Sequence, residues 1–188
     1  MNIFYLDNDP KVCAQMHLDK HVVKMILEYC QLLSTAHRVL DGTEVMGKSK
    51  TGRNVKRWIL PDKREEIVYS ATHINHPSAV WARQSAMNYY WLYCLLKELC
   101  AEYTHRYGKV HKCESTGLVN YLQMTPTKIP SHSNFTQPTP AMPDEYKVSG
   151  DSIQSYKNYY IHDKVRFAKW TKRIIPQWFV EGTNNANV

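Results

Sequence analysis

The clearest signal in the pattern of apolar and polar positions is one polar row on an otherwise apolar helix. His17, His21, Lys24, Glu28, Gln31, Thr35 and Arg38 follow one another at steps of 4, 3, 4, 3, 4 and 3, which keeps all seven on one helical face. Met16, Val22, Val23, Met25, Ile26, Leu27, Tyr29, Cys30, Leu32, Leu33 and Ala36 cover most of the remaining circumference, where a surface helix would show a broad polar face. The pattern predicts a buried helix. Polar groups stranded away from water cost roughly 1–3 kcal/mol each, so the row is a candidate active-site wall.

The same reading places the other elements. Ile3 to Leu6 is a short strand or an extended arm. Asp9-Pro10 supplies an N-cap and a proline at the first helical position, and the first long helix runs from there to about Leu40, ended by Asp41-Gly42. A modest helix is expected over Asp62 to Ala71. Pro77 opens a second long helix through Trp81, Tyr89, Trp91, Leu95, Leu99 and Tyr103 to Tyr107, with Gly108 as its stop. Its aromatic stripe reads as core packing. One more short helix fits between Lys109 and Tyr121. Pro126, Pro130, Pro138, Pro140 and Pro143 forbid a long helix between Gln123 and Lys147 and favour an extended, ordered loop. A last helix begins near Asp151 or Ser152, and Pro176 halts it. The expected architecture is all-α: one helical domain over residues 1–178 and a flexible tail over 179–188.

Composition narrows the class. With 188 residues, 43% of them hydrophobic, and only seven glycines, the chain reads as globular rather than disordered. No apolar run approaches the roughly 20 residues of a membrane span, and the first residues lack the pattern of a signal peptide. A cytoplasmic protein with no membrane partner is expected. The five cysteines contain no CxxC pair, which favours reduced core residues over a disulfide framework or a zinc site.

The net charge of +7 is concentrated. Lys48, Lys50, Arg53, Lys56, Arg57, Lys63 and Arg64 stand against Asp62 alone. With Gly47 and Gly52 this stretch reads as a mobile basic loop. It suits a phosphate backbone, whose condensed counterions are released on neutralisation, and it equally suits a plain solvated loop.

Several clusters could carry chemistry. Lys24 lies between His21 and Glu28 on one face, and an amine beside a carboxylate and an imidazole suits attack at an N-glycosidic carbon, with the amine forming a Schiff base and the carboxylate moving protons. The plain alternative is an i, i+4 Lys24–Glu28 pair worth a few tenths of a kcal/mol. His17 and His21, also at i, i+4, could share a metal ion, with His73 and His76 offering further nitrogens. That reading lacks a clear third ligand. His76, ahead of Pro77, either meets an anion at a helix start or caps the turn. Arg106, Lys109 and Lys112 lie around a helix C-terminus, where the dipole alone explains them; a phosphate contact is the other possibility.

At these residues the chain resembles the pyrimidine-dimer DNA glycosylase/AP lyase superfamily, the endonuclease V type of phage repair enzyme and its bacterial relatives. Asp19-Lys20-His21 and Glu28 reproduce the seven-residue spacing between that family's histidine and its catalytic glutamate. Leu18, Lys24, Gln31, His76-Pro77, Trp81, Tyr90, Cys100, Glu102-Tyr103 and Arg106-Tyr107 extend the likeness over roughly Pro10 to Lys112. The resemblance implies a helical fold on double-stranded DNA with a nucleotide displaced from the stack, no metal or other cofactor, Glu28 as catalytic carboxylate, and His21 in DNA binding. The family's nucleophile is the α-amine of an N-terminal threonine. Here the second residue is Asn2, too large for efficient methionine removal, so the terminal amine would belong to Met1, and Lys24 is the substitute nucleophile. The expected catalytic set is Glu28, His21 and Lys24. The expected DNA contacts are Lys20, Arg38, Lys48, Lys50, Arg53, Lys56, Arg57, His76, Arg83, Arg106 and Lys109. Two other readings stand beside this one: a noncatalytic DNA-binding or host-takeover phage protein, and a metal-dependent hydrolase using His17 and His21.

Overall fold

A buried N-terminal segment and a C-terminal strap complete a fold built around two long helices. The computed structural model describes residues 1–186. Ile3, Phe4, Tyr5 and Leu6 are extended and almost fully buried, without pairing as a strand. Their backbone is satisfied by side chains instead: the Phe4 N–H donates to the Tyr29 hydroxyl at 3.2 Å, and the Cys13 thiol donates to the Phe4 carbonyl at 3.2 Å.

The expected first long helix is two helices, α1 (Pro10–Met16) and α2 (Asp19–Asp41). Asp9 caps α1 by accepting from the backbone of Lys11 and Val12. The break falls at His17 and Leu18, and tertiary partners hold it open. Trp170 Nε1 donates to the Met16 carbonyl at 2.8 Å, the Asp19 N–H donates to the Lys169 carbonyl at 2.8 Å, and Arg106 Nη2 donates to the Gln15 carbonyl at 3.0 Å. Helical spacing alone cannot reveal a break made by residues about 90 and 150 positions away.

The basic stretch is not a loop. Thr43–Lys48 (β1) and Asn54–Ile59 (β2) pair antiparallel, Glu44 opposite Trp58 and Lys48 opposite Asn54, with Gly52 at φ +78° in the turn. The fold is therefore mainly helical with a two-stranded sheet, rather than all-α. Gly42 joins α2 to the hairpin where a Cβ would lie 2.5 Å from the Arg38 carbonyl.

Beyond the hairpin, the helix expected over Asp62 to Ala71 shrinks to one turn, α3 (Arg64–Ile67). The second long helix also divides, into α4 (Pro77–Ala82) and α5 (Ala86–Tyr107), because Ser85 caps α5 by accepting from the Asn88 N–H. Gly108 ends α5 at φ +65°. Single turns α6 (Lys112–Ser115) and α7 (Leu118–Tyr121) follow. The proline-rich segment is irregular apart from a 3-10 turn at Asp144–Tyr146. Its Thr136 is fixed to Asn88 and Trp81.

α8 (Ser152–Tyr159) starts at the Asp151 cap and passes into a π-helical turn, Tyr160–Lys164. The expected tail is in fact helix α9 (Gln177–Asn185), with Phe179 buried against Trp170 at a ring separation of 4.8 Å. Residues 187–188 of that expected tail lie outside the described residues. Among the described residues no helix is long and apolar enough to cross a membrane.

Candidate active site

His21, Lys24 and Glu28 line one recess of about 180 Å³, together with Met1, Asn2, Phe4, Met25, Tyr159 and Lys164. The α2 spacing supplies the first three. The buried N-terminal segment brings in Met1, and the π-helical turn brings in Lys164. Such turns, which insert one extra residue per turn, recur at functional sites.

At its centre is the Glu28 carboxylate, 13% exposed. Lys24 Nζ stands 3.1 Å from Oε1, and the Met1 nitrogen 4.0 Å from Oε2. Lys24 reaches in from solvent, with 71% of its side chain exposed, whereas the Met1 side chain is 5% exposed. Opposite them, Lys164 donates to the Tyr159 hydroxyl at 3.0 Å, pairs with Asp163 at 2.6 Å and lies 4.2 Å from the Tyr159 ring centre. The sequence gives no periodic cue for Met1, Tyr159 or Lys164, because they reach the site through tertiary folding. A larger recess of about 520 Å³ near Val12 and Ile174 lies away from this cluster.

His21 is held here without a charge. Its ring stacks on Phe4 at 4.0 Å, and Nδ1 meets the Tyr160 hydroxyl at 2.7 Å. Burial, and then the nearby His17, Lys164 and Lys24, push its pKa down to about 2. A neutral imidazole can exchange hydrogen bonds with a substrate but cannot offer a phosphate a positive charge. His17 is also held in the core, with Nδ1 2.7 Å from the Cys13 carbonyl and Nε2 3.3 Å from the Tyr29 hydroxyl. Among the described residues no group of three or more His, Cys, Asp or Glu side chains could hold a metal ion.

The expected DNA contacts do not share one environment. Lys48, Lys50, Arg53, Lys56 and Arg57 are exposed on the hairpin, with Lys56 paired to Glu44 at 2.8 Å; Lys109 is exposed beyond α5. Lys20 is exposed with its amine 4.5 Å over the Phe167 ring, which itself packs edge-on to His21. His76 caps α4 by accepting from the Ser78 N–H, and it is close enough to the recess that the Met1 amine and Glu28 both act on its charge. Arg83 is half-buried with Nη1 enclosed and unbonded, and desolvation lowers its pKa.

Arg38 and Arg106 require correction, because both are structural clamps. Arg38 spends all five N–H groups: on the carbonyls of Tyr69, Trp58, Glu65 and Val68, and on the Glu65 carboxylate. No donor remains for a phosphate, and the hairpin base is tied to α2 and α3. Arg106 joins Glu102 at 2.7 Å and Asp19 at 2.8 Å, while Arg173 closes on Glu102 at 2.8 Å. Burial would raise the Glu102 carboxyl pKa, but hydrogen bonds from Arg173 and Arg106 outweigh it and hold the group below its usual value. Asp19, in the motif that carries the family resemblance, serves this clamp and accepts from Thr171 Oγ1 at 2.7 Å. No family model, no curated protein and no solved structure matches the chain.

Proposed function

We propose that this protein carries out an N-glycosylase type of reaction on a damaged or modified pyrimidine nucleotide in double-stranded DNA. The observation that carries the reading is the Glu28 carboxylate flanked by two primary amines, Lys24 and Met1, in a recess open to solvent. An amine lone pair attacks the C1′ carbon as the bond to the base breaks, and the base leaves with the electron pair and takes up a proton. Glu28 removes a proton from the attacking nitrogen, and opening of the sugar ring gives the imine. His21 orients the sugar as a neutral hydrogen-bonding group, and Lys164 and His76 border the path of the phosphodiester. The exposed hairpin supplies the salt-dependent part of the affinity.

The test offers duplexes with abasic, pyrimidine-dimer and modified-pyrimidine lesions to the protein, with and without chelator, followed by borohydride reduction and peptide mapping. A trapped adduct is expected on Lys24 or on residue 1, unaffected by chelator. Glu28→Gln is expected to slow base release by about 10²- to 10⁴-fold, as for loss of a general acid–base group. Base release that survives Glu28→Gln would overturn the assignment. Binding without product on every duplex would favour a noncatalytic DNA-binding protein, and activity abolished by chelator would favour a metal-dependent hydrolase.

A further inference from the structure

The Glu28 recess, at about 180 Å³, is smaller than the roughly 300–1,000 Å³ typical of sites that enclose a small molecule. It has room for a sugar and not for a whole nucleotide. On the other side of Lys24 lies a second cavity of about 410 Å³, lined by Val23, Lys24, Leu27, Tyr69, His111, Lys112 and Cys113. Lys24 borders both.

This second cavity leaves apolar groups of α2 and of the segment after α3 open to water. Val23 is 43% exposed, Leu27 42% and Tyr69 37%. A contiguous exposed apolar patch rimmed by polar groups marks an interaction or ligand-binding site in soluble proteins. The walls are held rigidly: the Tyr69 hydroxyl is 3.5 Å from the Cys113 sulfur, its carbonyl accepts from Arg38 Nε at 2.9 Å, and His111 Nδ1 accepts from the Cys113 N–H at 3.2 Å. The charged groups among the lining residues, Lys24 and Lys112, are both cations, and no carboxylate joins them. An apolar slot with an aromatic wall and a cationic rim matches a flat, neutral ring attached to an anionic backbone.

We infer that this cavity is the seat of the unstacked nucleobase whose sugar occupies the Glu28 recess, with Tyr69, Leu27 and Val23 as its specificity-determining walls. The inference rests on the DNA-glycosylase reading above. Lys24, shared by the two cavities, marks where the glycosidic bond would lie, and the Arg38 clamp acts as a positioning group for Tyr69.

Two fluorescein-labelled duplexes test it by anisotropy: one with a thymine·thymine mismatch, and the same duplex with a tetrahydrofuran abasic analogue replacing one of those thymines. Tyr69→Ala and Leu27→Gln are expected to weaken binding of the mismatch duplex by about 5- to 100-fold, the range for losing a base-stacking contact, and to leave the abasic duplex within about twofold. Leu27→Gln changes an exposed helix position and guards against a folding defect in Tyr69→Ala. Equal losses on both duplexes, no loss on the mismatch duplex, or a wild-type protein that binds neither would overturn the assignment. The chemistry is read separately: failure of the wild-type protein to release base from any of the lesion-bearing duplexes would remove the glycosylase reading, while a selective loss on the mismatch duplex would still locate the base.

Discussion

At the scale of single residues, arginines that look alike in the sequence do opposite things. Arg106 is fully buried between Glu102 and Asp19, whereas the hairpin arginines face solvent. Breaking a buried ion-pair network by removing one member typically costs about 3–5 kcal/mol, because the partners keep their charges without compensation. Arg106→Met is therefore expected to lower unfolding stability by about that amount in a urea titration, with no selective loss of DNA affinity in the fraction that stays folded. Lys24→Met withdraws a largely exposed amine from a Glu28 carboxylate that keeps the Met1 amine as a second partner, and is expected to cost less stability than Arg106→Met. A stable Arg106→Met variant with weakened DNA binding would return Arg106 to the phosphate-contacting set. The spacing of His21, Lys24 and Glu28 was legible because three helical neighbours must share a face. The burial of Arg106 was not, since Asp19, which it pairs with, and Arg173, which shares Glu102 with it, come from opposite ends of the chain.

At the scale of elements, caps and stops were readable where they depend on local chemistry. Asp9-Pro10, Asp151 and Gly108 each mark a real boundary. Interruptions set by tertiary contacts were not readable: the Trp170 and Lys169 contacts at His17–Leu18 belong to the strap. The hairpin is not legible in the sequence because nearly every position is exposed on both faces, so its strands show no alternation of apolar and polar residues. Its clamping by Arg38 at Trp58 gives it a fixed base, and its Lys48–Arg57 portion carries five exposed cations. Each neutralised phosphate contributes roughly 0.9 to the slope of log affinity against log salt. Lys50→Gln with Arg53→Gln is expected to reduce that slope by about 1–2 while leaving the melting temperature unchanged, since neither side chain packs on the core. An unaltered slope would assign the hairpin a role other than DNA contact.

At the scale of the whole molecule, buried histidines on α2 and at the α1–α2 break tie the fold to pH. Burial lowers His17 and His37 to about 4 and His21 to about 2, whereas in the unfolded chain each returns to about 6.5. Between those values the unfolded chain binds protons that the folded chain refuses, so stability is full above pH 6.5 and falls as the pH drops. Each histidine contributes a slope of up to about 1.4 kcal/mol per pH unit, ending near pH 4 for His17 and His37 and near pH 2 for His21. Asp19, Asp41 and Glu102 are held below their ordinary values, in each case by hydrogen bonds and arginine charges that overcome burial, and they add a second loss at lower pH with the same sign. The melting temperature is therefore expected to fall in two stages, beginning between pH 6.5 and 5, before the carboxylates titrate. His37→Gln removes one titrating group at Tyr89 and should flatten the first stage relative to the pH 7.5 value, whatever it costs in absolute stability. A melting temperature constant from pH 7.5 to 5 would mean that water reaches these imidazoles, and the neutral His21 on which the recess depends would have to be replaced by a charged one.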